Sequence, residues 1–131
     1  MTLEALTSNK APFEIKESAK TYFEYLELAK KADLILVAPA TANFIASTAA
    51  GFASNLLAAL VLARNCPLAV APAMNERMWL NDITQENVKK LKKLGVIFVD
   101  PEKGDLACGD EGVGRLASID KIVDTSNQVA G

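Results

Sequence analysis

Two short segments share a pattern suited to holding a ligand. Val37-Ala38-Pro39-Ala40-Thr41-Ala42-Asn43 and Val70-Ala71-Pro72-Ala73-Met74-Asn75 each run through small residues and a proline to an asparagine. Small side chains let a flat ring approach the backbone, and a carboxamide offers both donors and acceptors. The same spacing also describes plain strand-to-helix turns in which the asparagine caps a helix. Cys66 and Cys108 do not form a CxxC pair, and the chain has no histidine. No zinc or other metal site is therefore expected. The commonest general base is missing as well. Any acid–base step falls to Asp, Glu, Lys, Tyr or Cys, or to a residue of another chain.

These segments need elements that present them along one edge. Residues 34–39 and 67–72 are short, wholly apolar runs, the pattern of strands buried on both faces of a parallel sheet. Residues 96–99 supply a third. Helical patterns cover residues 18–31, 44–50, 54–64 and 84–94, with a helical turn at Met78-Trp79 and a terminal helix over 119–123. In 84–94, Val88, Leu91 and Leu94 keep three-residue spacing with lysines between them. Thr41 or Asn43 is placed to cap the 44–50 helix and Gly51 to stop it. Residues 101–115, rich in Gly and Asp and without periodicity, read as a long loop, a kind that is usually functional or disordered. The order is α/β with a parallel sheet. There is no GxGxxG and no P-loop after any strand. In such sheets ligands bind outside the carboxyl ends of the strands, which is where both asparagine segments fall. Three strands are few for an open sheet, so residues 1–131 are expected to form a partial domain, with N-terminal strands missing.

Composition narrows the partners. The chain has 131 residues, a length suited to one domain, and a net charge of −2, which argues against nucleic acid. Its lysine pairs are interleaved with apolar residues and read as solvated helix faces. The longest apolar stretch, residues 56–63, is about half of what a membrane span requires. The first residues carry neither a basic region nor a long apolar run, so no signal peptide is expected. Two unpaired cysteines suit a reduced, cytoplasmic setting.

The wording of these segments is more specific than their spacing. Ala71-Pro72-Ala73-Met74-Asn75 followed by Met78-Trp79 resembles the hallmark of the homo-oligomeric flavin-containing cysteine decarboxylases, and those acting on phosphopantothenoylcysteine in coenzyme A biosynthesis most of all. The resemblance includes Ala32-Asp33, the 38–43 segment, Gly51 and Asn55-Leu56-Leu57. It resumes at Leu106-Ala107-Cys108-Gly109-Asp110 and Gly112-Val113-Gly114-Arg115.

The resemblance implies a Rossmann-like or flavodoxin-like sheet with helices on both faces, and FMN as cofactor. Ala38, Pro39, Ala40, Thr41, Asn43, Ser54, Asn55 and Met74 would line the FMN site. Asn75 would hold the substrate carboxylate, and Lys30, Met78, Gly109 and Arg115 would also meet substrate. The 101–115 segment would close over it, with Cys108 helping to reduce or protonate the intermediate. The family's enzymes are trimers or multiples of trimers (dodecamers among them), with active sites between subunits. Their chemistry explains the cofactor. A cysteine carboxylate cannot simply lose carbon dioxide, because the carbanion left behind has no sink. Oxidation of the thiol to a thioaldehyde creates one, decarboxylation gives an ene-thiolate, and the electrons then return. A neutral amide suits the carboxylate, since a cation would favour a ground-state charge that must disappear.

Two departures from the family follow. The family places its catalytic histidine where this chain has Tyr25, and a phenol with pKa about 10 is a poor base at neutral pH. The family's first strands and phosphate-binding turn have no counterpart here, which implies that a separate chain supplies them or that the chain is incomplete. The alternatives to an active decarboxylase are therefore a catalytically silent flavoprotein-like subunit or regulator, and a peptidyl-cysteine decarboxylase. These residues include no ligase segment, so a ligase making the substrate is expected to be a separate protein.

Overall fold

Neighbouring residues of the apolar runs are buried on opposite faces of one sheet. Ile35, Val37, Leu68 and Val70 join one core cluster, whereas Leu34, Leu36, Ala69 and Ala71 join another. This two-sided burial is why the runs contain no polar alternation. The protein, seen in a computed structural model, is described over residues 19–105 and 111–131.

Strands β1 (Ile35–Ala40), β2 (Leu68–Pro72) and β3 (Ile97–Phe98) form a parallel sheet in the order β1-β2-β3. Ile35 pairs with Leu68 and Val37 with Val70, and the register shifts before Ala40 meets Pro72. The Ala38–Pro39 peptide bond within β1 is cis. Helix α1 (Ala19–Lys31) precedes β1, α2 (Ala42–Ala50) and α3 (Leu56–Ala63) follow it, and α4 (Glu76–Leu80) and α5 (Asp82–Lys93) lie between β2 and β3, the order expected. Tyr25, Phe44, Ile45, Leu57, Leu60, Trp79, Val88 and Leu91 from these helices fill the first cluster. Helix α6 (Ile119–Ala130) covers the other face through Ile122 and Val129. The fold is thus α/β with helices on both faces of a parallel sheet. Each aliphatic side chain buried in these layers contributes about 1.5–3 kcal/mol.

Local signals set the helix boundaries. Thr41 Oγ1 accepts a hydrogen bond from the Phe44 amide at 3.0 Å, so Thr41 is the cap of α2 and Asn43 lies within the helix. Gly51, at φ 76°, stops the helix in the left-handed conformation that glycine adopts without steric cost. Asn55 caps α3 and Asn81 caps α5.

The 101–115 segment departs from the loop expected of it. Its described parts are β4 (Glu102–Asp105) and β5 (Glu111–Arg115), an antiparallel pair in a sheet of their own. The sequence hides them because neither strand alternates apolar and polar residues. Gly112 and Gly114 are the buried residues of β5, so its buried side carries no apolar side chain that a pattern could reveal, and the pairing is set by the partner strand and by packing on α4. Helix α6 also runs further than the 119–123 pattern, and β3 is shorter than 96–99. Among the described residues, no helix is long and apolar enough to cross a membrane.

Candidate functional site

The carboxyl ends of β1 and β2 meet side by side. The Ala73 amide donates to the Ala40 carbonyl at 3.1 Å, which joins the two turns expected to carry chemistry. Ala40 and Pro72 are buried, Pro39 is exposed, and Ala38, Ala73, Met74 and Asn75 are half-buried. Ala38 packs against the second cluster, while Ala40 belongs to the first. The register shift between Val37 and Ala40 accompanies this change of face.

Asn75 is held from its own helix. Its Oδ1 accepts from the Arg77 amide at 2.8 Å and so caps α4. With the oxygen engaged this way, the donors of the carboxamide are at its N–H2 end.

The same turn is gripped by β5. The Met74 amide donates to the Gly114 carbonyl at 2.9 Å, and the Val113 amide donates to Glu76 Oε1 at 3.1 Å. Close approach depends on glycine. A Cβ on Gly114 would overlap the Met74 carbonyl oxygen, and one on Gly112 would lie 2.5–2.9 Å from the Glu76 carboxylate. Glu76 escaped the sequence reading. The signal available was the pair of alternate glycines around Val113, a spacing that no local turn requires.

The remaining expected residues are distributed as follows. Asn43, Ser54 and Asn55 are exposed, and the Asn55 side chain accepts from the Ala58 amide at 2.9 Å. Met78 is exposed on α4. The Arg115 side chain lies across Gly104, so it braces the β4–β5 pair from outside. Lys30 is exposed, forms an ion pair with Glu27 at 3.2 Å, and sits at the end of α1 that leads into β1. The six residues of β1 then carry the chain about 20 Å to the Ala40 end of the sheet. Lys30 and Asn75 therefore lie toward opposite ends of β1 within one chain. Cys108 and Gly109 lie outside the described residues.

Tyr25 faces inward from α1 as a member of the first core cluster. Burial pushes its phenol above the ordinary value of 10.0, and the nearby Glu24 carboxylate adds to the rise. It is therefore protonated at neutral pH and cannot act there as a general base. Cys66, just before β2, is a free thiol raised above its usual range, chiefly by burial and further by Asp33. Arg64 and a hydrogen bond with the Ile35 backbone oppose the rise. No group of three or more potential metal-ligating side chains occurs among the described residues.

A protein-family model described as Flavoprotein matches residues 1–131. The chain is 44% identical over 117 residues to the coenzyme A biosynthesis bifunctional protein CoaBC of Vibrio vulnificus, covering 88% of this chain and 29% of that protein. It is 44% identical over 126 residues to a probable phosphopantothenoylcysteine decarboxylase of Streptococcus mutans, covering 94% of this chain and 70% of that one. Among solved structures, it superposes on a PPC decarboxylase mutant complexed with pantothenoylaminoethenethiol. The TM-score is 0.77 at 34% identity, over 93% of this chain and 64% of that one. The FMN binding protein AtHal3 gives 0.71 at 35% identity, over 93% and 63%. The chain thus spans under a third of the bifunctional relative and about two thirds of the two structures. The superpositions agree with the α/β fold, and the chain belongs to the Flavoprotein family.

Proposed function

We propose that this chain carries out FMN-dependent decarboxylation of phosphopantothenoylcysteine to phosphopantetheine in coenzyme A biosynthesis. The observation that carries this reading is the Asn75 turn at the carboxyl end of β2, fixed by Arg77 on one side and by β5 on the other. A solved relative binds pantothenoylaminoethenethiol, a thiol ligand of the pantothenoyl class.

The residues fit a flavin. Ala38 and Ala73, half-buried at the strand ends, have no side chain beyond Cβ, so a flat ring can approach backbone there, while Ala40 is buried in the core beneath. Asn43 and Ser54 are exposed and present both donors and acceptors, as the pyrimidine edge of a flavin requires. Bound FMN supplies the oxidation of the substrate thiol and its later reversal. The chain's own residues bind and orient. Asn75 holds the carboxylate as a neutral donor, which leaves its charge easy to lose. Met74 narrows the space beside it, and β5 closes the turn from outside. Lys30 reaches a substrate phosphate from another copy, in keeping with a trimer whose sites lie between subunits. Phe23 and Phe52, 66% and 64% exposed, are suited to contacts between copies.

The test is the visible spectrum of the purified chain, with carbon dioxide release from phosphopantothenoylcysteine. Yellow protein and release support the reading. A colourless chain that stays inactive with any N-terminal partner supplied rejects it.

One observation favours a second reading, that of a catalytically silent flavin-binding subunit. Tyr25 is in the core, where burial keeps its phenol protonated. Tyr25→His should leave a silent subunit inactive, and recovered turnover would count against that role. A substrate panel with C-terminal-cysteine peptides separates both readings from a peptidyl-cysteine decarboxylase.

A further inference from the structure

Glu76 is the first residue of α4, directly after Asn75. Its carboxylate is not spent on its own helix, since the cap of α4 is the Asn75 carboxamide. Instead Oε1 accepts from the Val113 amide, 37 residues away, at 3.1 Å. Gly112 leaves the space that the carboxylate occupies, where a Cβ would come within 2.5–2.9 Å of it. On the other side of Asn75, the Met74 amide bonds to the Gly114 carbonyl. Asn75 is therefore bracketed by two tethers to one strand. One is backbone to backbone, and the other depends on a single side chain.

We propose that Glu76 is a positioning residue, whose carboxylate holds β5 against the Asn75 turn and so sets where the Asn75 carboxamide meets the substrate carboxylate. The proposal rests on the reading of Asn75 given above. A carboxylate accepting from a backbone amide is a charge-assisted bond, stronger than a neutral pair. A side chain able to accept at the same reach keeps the tether, and a shorter one loses it. The role is one of binding, because Glu76 acts on Asn75 and not on the reacting atoms.

The experiment compares wild type with Glu76→Ala, Glu76→Asp and Glu76→Gln in the FMN-loaded protein. Amide hydrogen exchange over residues 112–115 is measured alongside KM and kcat for phosphopantothenoylcysteine. Glu86→Ala, which removes an exposed glutamate on α5, controls for charge. Glu76→Ala should speed exchange at Val113 and raise KM about tenfold, the factor expected from one lost charge-assisted hydrogen bond, with kcat within about twofold. Glu76→Asp, one methylene shorter but still acidic, should behave the same way. Glu76→Gln, which accepts at the same reach as a neutral group, should restore most of both readouts. Unchanged Val113 exchange in the Ala and Asp variants overturns the proposal. So does a fall in kcat at constant KM, or a Gln variant that behaves like Ala. A wild-type protein that releases no carbon dioxide defeats the proposed function instead, and the exchange comparison then decides the tether alone.

Discussion

The contact between β5 and the Asn75 turn makes a sharp demand on Gly114. Its φ of 148° lies in a region that residues with a Cβ rarely adopt. A Cβ there would overlap the Met74 carbonyl oxygen, and would lie 3.2 Å from the Met74 carbonyl carbon and 3.4 Å from that of Asn75. Gly114→Ala must therefore accept backbone strain, about 1–3 kcal/mol, and also lift β5 away to relieve the overlap. Lifting it breaks the bond from the Met74 amide, worth about 0.5–1.5 kcal/mol. The combined cost is about 1.5–4.5 kcal/mol. Gly51→Ala is the proper comparison. Gly51 also has positive φ, at 76°, but nothing lies within 4 Å of its Cβ position, so only the left-handed penalty of about 1 kcal/mol applies. In urea unfolding, a slope near 1.5 kcal/mol per M converts these costs to midpoint shifts of about 2 M for Gly114→Ala and under about 1 M for Gly51→Ala. Equal midpoints for the two variants, with unchanged amide exchange at Val113, would refute the claim that β5 is seated on Met74.

Asn75→Ala should lose the α4 cap, about 1 kcal/mol in a thermal or urea melt, yet lower carbon dioxide release at least about 100-fold while flavin absorbance persists; activity falling only in step with stability argues against carboxylate binding. Tyr25 predicts an alkaline loss of stability. Its phenol is raised by burial above 10.0 in the folded chain, so the contribution is intact below that pH, where both states are protonated. As pH climbs past it the unfolded chain loses its proton first, and stability falls until the folded value is passed. Tyr25→Phe should flatten part of that fall in melts between about pH 9.5 and 11, and an equal fall in the variant contradicts the burial argument. In a Cys108→Ser background, Cys66 should react with a thiol reagent at about pH 8 at least about tenfold more slowly than free cysteine, because burial raises its pKa and limits access; a rate matching free cysteine rejects this.

Much of the scaffold was legible in the residues themselves. The apolar runs around Val37 and Val70 specify strands buried on both faces, because a strand with one wet face would alternate. Thr41, Gly51 and Asn75 mark helix ends because their side chains, or the lack of one, act on backbone groups a few residues away. The wording from Ala71 to Asn75 named the family before any tertiary contact was known. Residues that act at a distance were not legible. The strands β4 and β5 have no apolar period, since their pairing is decided by each other and by α4. The bond from Val113 to Glu76 joins residues 37 apart, and nothing near Glu76 in the chain foretells it. Tyr25 reads as a site residue by its place in the motif, and only the packing of α1 shows that it also belongs to the core. Lys30 likewise matches by position, yet β1 separates it from Asn75 within one chain. Local propensity and motif reach only as far as a helix turn or a strand end. The chemistry proposed at Asn75 depends on what the sheet and the β4–β5 pair bring against it from elsewhere.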